Sequence, residues 1–206
     1  MEHEIKYAFR MVHIENIPHV LEYGFVHKDS CNADPNYIPI GDTSVIRVRE
    51  ERAVIGEKTI GQYIPFYFGP RSPMLYVVQH GYNGVRQYDA ENLVYCVLRI
   101  DDIIEKGIKC IFTDGHAVNF ITTTYDGSRL NELNSIISYD DVYASCWNDE
   151  NDRDLKRRKE AELLIEDELS ADFIRGFVVY NEVAYNRLIS YGVAKEKIYI
   201  NKNFYF

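Results

Sequence analysis

The apolar and polar positions of this chain alternate in short stretches, and no single period runs for long. Tyr7–Val12 (YAFRMV) predicts a strand apolar on both faces and interrupted by Arg10, with His13-Ile14-Glu15-Asn16 as the turn out of it. Ile17, Val20 and Leu21 then recur at helical spacing. Pro18 is tolerated there because first-turn N–H groups have no intrahelical partner. Asn16 or Glu15 can cap this helix, and Gly24 can end it. Val45–Arg49 (VIRVR), read as extended, puts Arg47 and Arg49 on one face. Leu93–Ile100 (LVYCVLRI) is almost continuously apolar and predicts a central strand. Asp101-Asp102 is placed to cap a short helix ended by Gly107, and Cys110–Thr113 predicts another strand. Arg153–Leu169 reads as a helix or helical turn. Phe177–Tyr180 predicts a strand, Glu182–Ser190 a helix stopped by Gly192, and Lys197–Ile200 a last strand. The irregular alternation favours an α+β fold over a doubly wound parallel sheet.

Between these elements lies Tyr63–Met74, YIPFYFGPRSPM, with four aromatics among three prolines. The first half is made of β-formers, yet Pro65 bars it from acting as a fully paired central strand. Gly69-Pro70 forces a turn, and Ser72-Pro73 is read as the start of a new extended run. Prolines have already removed much of the chain entropy here, so the segment orders at little cost and predicts a rigid aromatic ledge. Residue chemistry alone reads it as a core strand and a tight turn.

With 206 residues and no linker-like stretch, the chain fits one domain, 1–206. Its formal charge of −9 argues against a protein that coats nucleic acid nonspecifically, although it leaves room for a local basic cleft. The 17 tyrosines suit base stacking and amphipathic packing equally. Met1–Lys6 lacks a basic, apolar leader and no run approaches membrane-spanning length, so no membrane association is expected. Cys31, Cys96, Cys110 and Cys146 are widely separated, which fits a reduced, cytoplasmic protein. His27 and Cys31 lie four apart without a second ligand pair, so no metal is expected. Residues 117–150 are too long and polar for an ordinary connection and carry either function or local structure.

Several positions carry candidate chemistry. The strand–turn–helix around His13 and Asn16 leaves N–H groups beside polar side chains, a place for an anion or a nucleotide, or simply a capped helix with a surface histidine. Arg47, Arg49, Arg52 and Lys58 form a basic segment suited to phosphate or carboxylate, unless Glu50, Glu51 and Glu57 neutralise it. His116 ends a strand in Asp114-Gly115-His116 and is either functional or caps neighbouring backbone. Glu162 stands among Ala161, Leu163, Leu164 and Ile165, where a carboxylate is paired, raised in pKa, or catalytic. Neither GxxxxGK[ST] nor strand–GxGxxG–helix is present, which weakens kinase, ATPase and Rossmann readings.

Taken together and in order, five segments resemble the DarT family (DUF4433) of DNA ADP-ribosyltransferase toxins: Phe9–Gly24 (FRMVHIENIPHVLEYG), IGDTSVIRVR ending at Arg49, YIPFYFGPRSPM, Phe112–His116 (FTDGH) and Glu160–Glu168 (EAELLIEDE). The likeness is collinear over nearly the whole chain. It implies an ADP-ribosyltransferase-like split β-sheet with surrounding helices and a central NAD cleft, and transfer of ADP-ribose from NAD+ to a base of single-stranded DNA, typically thymine. It implies NAD+ binding by His13, Ile14, Glu15, Asn16, Arg49 and Tyr67, and catalysis by Arg49, Glu162 and His116, with the stretch from His116 to Glu162 recognising the target. NAD+ is then a co-substrate, single-stranded DNA the partner, and a cognate macro-domain antitoxin a second partner.

That implied chemistry agrees with the residue types. Loss of nicotinamide leaves positive charge on the ribose, as in glycoside cleavage, and a carboxylate at Glu162 opposes it, a contribution of about 3–4 kcal/mol. The family account gives the proton of the thymine imide to the equivalent of Arg49. Arginine is a poor base, so orienting the base suits Arg49 better and His116 is the alternative acceptor. Guanine in DNA, RNA or protein as acceptor, and a catalytically silent NAD- or nucleic-acid-binding module, are the competing readings.

Overall fold

The computed structural model of the protein describes residues 3–54 and 58–206. Met1, Glu2 and Glu57 lie outside the described residues. The strands are β1 (Tyr7–His13), β2 (Ile64–Tyr67), β3 (Leu93–Arg99), β4 (Cys110–Thr113), β5 (Thr124–Asp126), β6 (Glu162–Ile165), β7 (Ile174–Val179) and β8 (Ile198–Ile200). The helices are α1 (Ile17–Tyr23), α2 (Thr43–Glu51), α3 (Pro73–His80), α4 (Ile100–Glu105), α5 (Leu133–Ile136), α6 (Tyr139–Val142), α7 (Leu155–Lys159) and α8 (Glu182–Ser190). All the strands join one eight-stranded sheet, ordered β5-β4-β6-β2-β1-β3-β7-β8. It is antiparallel except where β7 meets β8. The α+β expectation therefore holds, and the apolar run of β3 is buried from Leu93 to Leu98.

Pro65 shapes the middle of this sheet. β2 pairs with β6 at four positions, from Ile64↔Ile165 to Tyr67↔Glu162, but with β1 only at Phe9↔Tyr67. Proline has no N–H to give to a ladder, and the Pro65 carbonyl accepts from Arg10 Nη1 at 3.0 Å. The sheet thus divides into β5-β4-β6-β2 and β1-β3-β7-β8, joined at one rung.

Side chains alternate across a strand, so the register sorts them. Ala8, Val12, Phe66, Cys96, Leu98, Phe112 and Leu163 lie on one face in the main core. Phe9, Tyr67 and Glu162 share the other face, with Met11 and His13 further along β1. On this second face the apolar residues form two separate clusters. One gathers Phe9, Met11, Tyr95 and Val178 under Leu75 and Val78 of α3; the other gathers Ile60, Tyr63, Ile111, Ala117 and Leu164. Tyr67 and Glu162 sit on the strip between them.

Three segments differ from the pattern-based expectation. Val45–Arg49 is not extended but part of α2, because Asp42 caps it: its carboxylate accepts from Ser44 N at 2.8 Å and Ser44 Oγ at 2.6 Å. On a helix Arg47 and Arg49 point about 200° apart. Arg47 is exposed and faces Glu51 at 3.5 Å, while Arg49 turns inward. Ser72-Pro73 starts α3 rather than a strand: Ser72 Oγ accepts from Leu75 N at 3.2 Å, and Pro73 occupies the first turn, where its missing N–H costs nothing. The predicted helix over Arg153–Leu169 stops after α7, and Glu162–Ile165 is strand β6, fully buried between β2 and β4. Pairing on both edges overrides the helix preference of Glu and Leu. The proposed caps hold only in part: Asn16 stands at the N-cap of α1 without a side-chain capping bond, and Asp102 pairs with Arg175 at 2.5 Å instead of capping α4.

Candidate active site

Glu162 opens β6 with no exposed surface. Its backbone N–H donates to Thr113 Oγ1 at 3.1 Å, which ties the start of β6 to the end of β4. The carboxylate accepts from Ala117 N at 2.9 Å (Oε1) and from Arg49 Nη1 at 2.9 Å (Oε2) and 3.2 Å (Oε1). An ionised carboxylate has about four acceptor sites; three are engaged here, which leaves about one for a hydroxyl brought by a ligand. Arg49 Nη2 is buried with no hydrogen-bond partner among the described residues. A buried donor without an acceptor is costly, and a ligand oxygen beside Glu162 would satisfy it.

His116 follows the Asp114-Gly115 turn, near enough for the Glu162 charge to act on its ring. Thr113 Oγ1 donates to the Gly115 carbonyl at 2.7 Å, and His116 N donates to the Arg157 carbonyl at 2.9 Å. Arg157 Nη1 in turn donates to Asp114 Oδ1 at 2.8 Å. A Cβ on Gly115 would stand 2.9 Å from the Arg157 carbonyl oxygen, a backbone atom, and closer still to the Arg157 side chain, so a larger residue would have to displace α7. Burial holds the His116 imidazole below its ordinary pKa; Glu162 opposes that shift and Arg49 adds to it. The ring is therefore neutral near pH 7 and able to accept a proton.

Tyr67 lies beside Glu162 in register, half-buried, with its hydroxyl 3.9 Å from Met74 Sδ. Burial, then Glu162 and Glu160, push its pKa well above the usual tyrosine value, so it stays a neutral donor. Glu160 is a buried carboxyl near Tyr67 and Glu162 that sequence reasoning did not single out. It is buried, and burial pushes its pKa up to about 8, so this carboxyl is mostly protonated at neutral pH. Glu160 is the C-cap of α7 and not part of β6, so neither a helical nor a strand period along EAELLI marks it.

The His13–Asn16 turn lies on the other half-sheet. His13 is four residues beyond Phe9, about 13 Å along the strand from the level of Tyr67 and Glu162. Its Nδ1 accepts from Glu15 N at 3.3 Å, and its ring packs edge-on to Tyr88. Burial, then Arg187 and Arg86, lower its pKa, so the neutral ring keeps its proton on Nε2 as a donor. Ile14 is fully buried, the Asn16 amide exchanges two 2.9 Å bonds with the Ile38 backbone, and Glu15 pairs with Arg187. These three side chains are committed to the scaffold, so what they offer a ligand is the main chain of the turn. The structure thus brings Arg49, Tyr67, His116 and Glu162 together and sets His13–Asn16 apart on the same sheet face. The rest of the basic segment is engaged locally: Arg52 holds the carbonyls of Val118 and Asn119, and Lys58 meets Glu166 at 2.6 Å.

Among the described residues, no three His, Cys, Asp or Glu side chains gather as a metal set, and no helix is long and apolar enough to cross a membrane. A sheet parted at its centre, with a fully enclosed carboxylate at the parting, is the arrangement of the NAD-dependent ADP-ribosyltransferases. A family described as "ssDNA thymidine ADP-ribosyltransferase, DarT" matches residues 9–206, and the chain belongs to this family. A DNA ADP-ribosyl transferase of Escherichia coli O127:H6 is 31% identical over 177 residues, which is 84% of this chain and 80% of the relative. A DNA ADP-ribosyl transferase–DNA ADP-ribosyl glycohydrolase fusion protein of Thermosipho africanus is 28% identical over 86% of this chain and 44% of its own length. Thermus sp. 2.9 DarT in complex with ADP-ribosylated ssDNA superposes with a TM-score of 0.87 at 23% identity, covering 100% of this chain and 99% of that one. The same protein in complex with NAD+ gives a TM-score of 0.81, also at 23% identity, with 100% of both chains covered. These superpositions establish the fold.

Proposed function

We propose that a single domain, residues 1–206, transfers ADP-ribose from NAD+ to a base of single-stranded DNA, thymine first, with release of nicotinamide. The observation that carries this reading is Glu162, shielded from water yet left with acceptor capacity by Arg49 and the Ala117 N–H. Arg49 and Glu162 hold the ribose end of NAD+, and the Glu162 carboxylate accepts a ribose hydroxyl and opposes the positive charge that grows as nicotinamide leaves. Tyr67 borders the same strip. The His13 Nε2–H and the main chain of Ile14-Glu15-Asn16 receive the distant part of the dinucleotide. Neutral His116 takes the proton of the thymine imide, while Arg49 orients the base.

The Thermosipho relative joins its transferase to a DNA ADP-ribosyl glycohydrolase. By analogy the activity here is that of a toxin, opposed by a macro-domain antitoxin that removes the modification. Free Cys31 and Cys146 on the surface suit a reducing cytoplasm. The test is incubation with NAD+ and an oligonucleotide pool covering all short contexts, with product nucleosides resolved by mass spectrometry. An ADP-ribose adduct on thymidine is expected. An adduct on guanosine or RNA would move the acceptor, and NAD+ binding without transfer to any acceptor would overturn the enzyme reading.

A further inference from the structure

Phe120 is 87% exposed and Ile121 is 54% exposed, at the tip of the segment that follows His116. A lone apolar residue on a surface needs no explanation, but this one stands on a loop held on every side. Asn119 N and Thr122 Oγ1 both donate to the His116 carbonyl at 2.9 Å, and Thr122 N donates to the Asn119 carbonyl at 3.2 Å. Ile121 N donates to Asn119 Oδ1 at 3.2 Å, and Arg52 grips the carbonyls of Val118 and Asn119 from beyond the end of α2. Val118 packs beneath the tip against the Ile60–Leu164 cluster. The phenyl ring is thus presented to solvent on a pre-organised backbone, four residues from His116 and three from the Ala117 N–H that holds Glu162.

We propose that Phe120 is a stacking platform for a base adjoining the one that is modified in single-stranded DNA. The inference rests on the DNA-transferase reading above. An unstacked base offers an apolar face to any aromatic ring, and a ring already fixed in place loses little entropy on meeting it. Stacking is also what this chain has to offer. Its formal charge is −9, and Arg49, Arg52 and Lys58 near the site are engaged with Glu162, backbone carbonyls and Glu166. Exposed Lys156, whose charge acts on His116, is left to meet a phosphate, and stacking supplements it.

Kinetics on the full chain test this. Phe120→Ala raises KM for a single-stranded oligonucleotide about 5- to 150-fold, the equivalent of about 1–3 kcal/mol for one stacked base. KM for NAD+ and kcat stay unchanged. Phe120→Trp restores affinity, whereas Phe120→Leu, equally apolar but without a ring face, does not. An oligonucleotide with 2-aminopurine beside the target position is quenched on binding by the unaltered protein and not by Phe120→Ala. This binding readout decides the proposal even if no base is modified, a result that would sink only the transferase reading. Unchanged KM and quenching in Phe120→Ala, or full recovery with Phe120→Leu, would overturn it.

Discussion

Arg49 and Glu162, 113 residues apart in the chain, meet at 2.9 Å between a helix that buries none of its residues and a strand with no exposed surface. α2 has little apolar contact to hold it, so its position over the strip depends on polar ties. These are Arg49 to Glu162, Lys28 to Glu50 at 2.5 Å, and the Ile60 N–H to the Arg52 carbonyl at 2.9 Å. The carboxylate proposed to face the ribose also holds down the element covering it.

Glu162→Gln is expected to lower the transfer rate by about two to three orders of magnitude, since a preorganised opposing charge is lost at the ribose. The same change removes the charge that Arg49 answers. Amide exchange should therefore quicken along Thr43–Glu51 while the melting temperature stays nearly constant, because Arg49 can turn out to water. Mass spectrometry reads both effects; unaltered exchange in α2 would contradict the coupling.

If His116 takes the imide proton as proposed, it makes the acid limb of the pH profile. Its pKa is lowered by burial, so as pH falls through about 6.5 the unfolded chain takes up a proton before the folded one does. Stability falls as the pH drops through that window, and activity falls as the folded ring is protonated below it. His116→Gln should flatten the acid slope of stability and lower kcat at pH 7. A retained acid limb in the variant would assign the titration elsewhere.

Glu160 gives the opposite slope. Its carboxyl is raised to about 8, so between the usual carboxylate range and pH 8 the folded state holds a proton that the unfolded state has released. Stability contributed at low pH is lost as pH rises through that interval. Glu160→Gln should stabilise the protein increasingly across the same interval, by on the order of 1 kcal/mol for each step of one in pH. Denaturant midpoints taken at its two ends would show it.

Gly69 carries the ledge close against the 139–142 helix. A Cβ there would lie 1.9 Å from the Val142 carbonyl oxygen, a backbone atom that cannot swing aside. Beside it Lys159, buried, donates to both the Pro70 and Val142 carbonyls at 3.1 Å. Gly69→Ala should destabilise by about 1–3 kcal/mol or more through overpacking, visible as a lower denaturant midpoint.

Local chemistry made the turns and most strands legible: Gly24, Gly107 and Gly192 stop helices, and the apolar run of β3 reads as a buried strand. It failed where local and distant signals compete. The branched residues of VIRVR suggest a strand until Asp42 is read as their cap, and the Glu and Leu of EAELLI suggest a helix until β2 and β4 flank them. The resemblance singled out Arg49 and Glu162 as residues, but nothing local encodes a contact across 113 positions. The Ala117 N–H escaped notice because a backbone donor leaves no mark in a sequence.

The single rung between Phe9 and Tyr67 leaves the middle of the sheet short of ladder hydrogen bonds, so there the two halves are joined by the main core beneath them and by Arg10 on the Pro65 carbonyl. A molecule laid from His13 to Glu162 would span that sparsely paired seam and tie the halves from the other face. Slowed exchange confined to the residues flanking that rung would then report its arrival more sensitively than any change within the halves themselves.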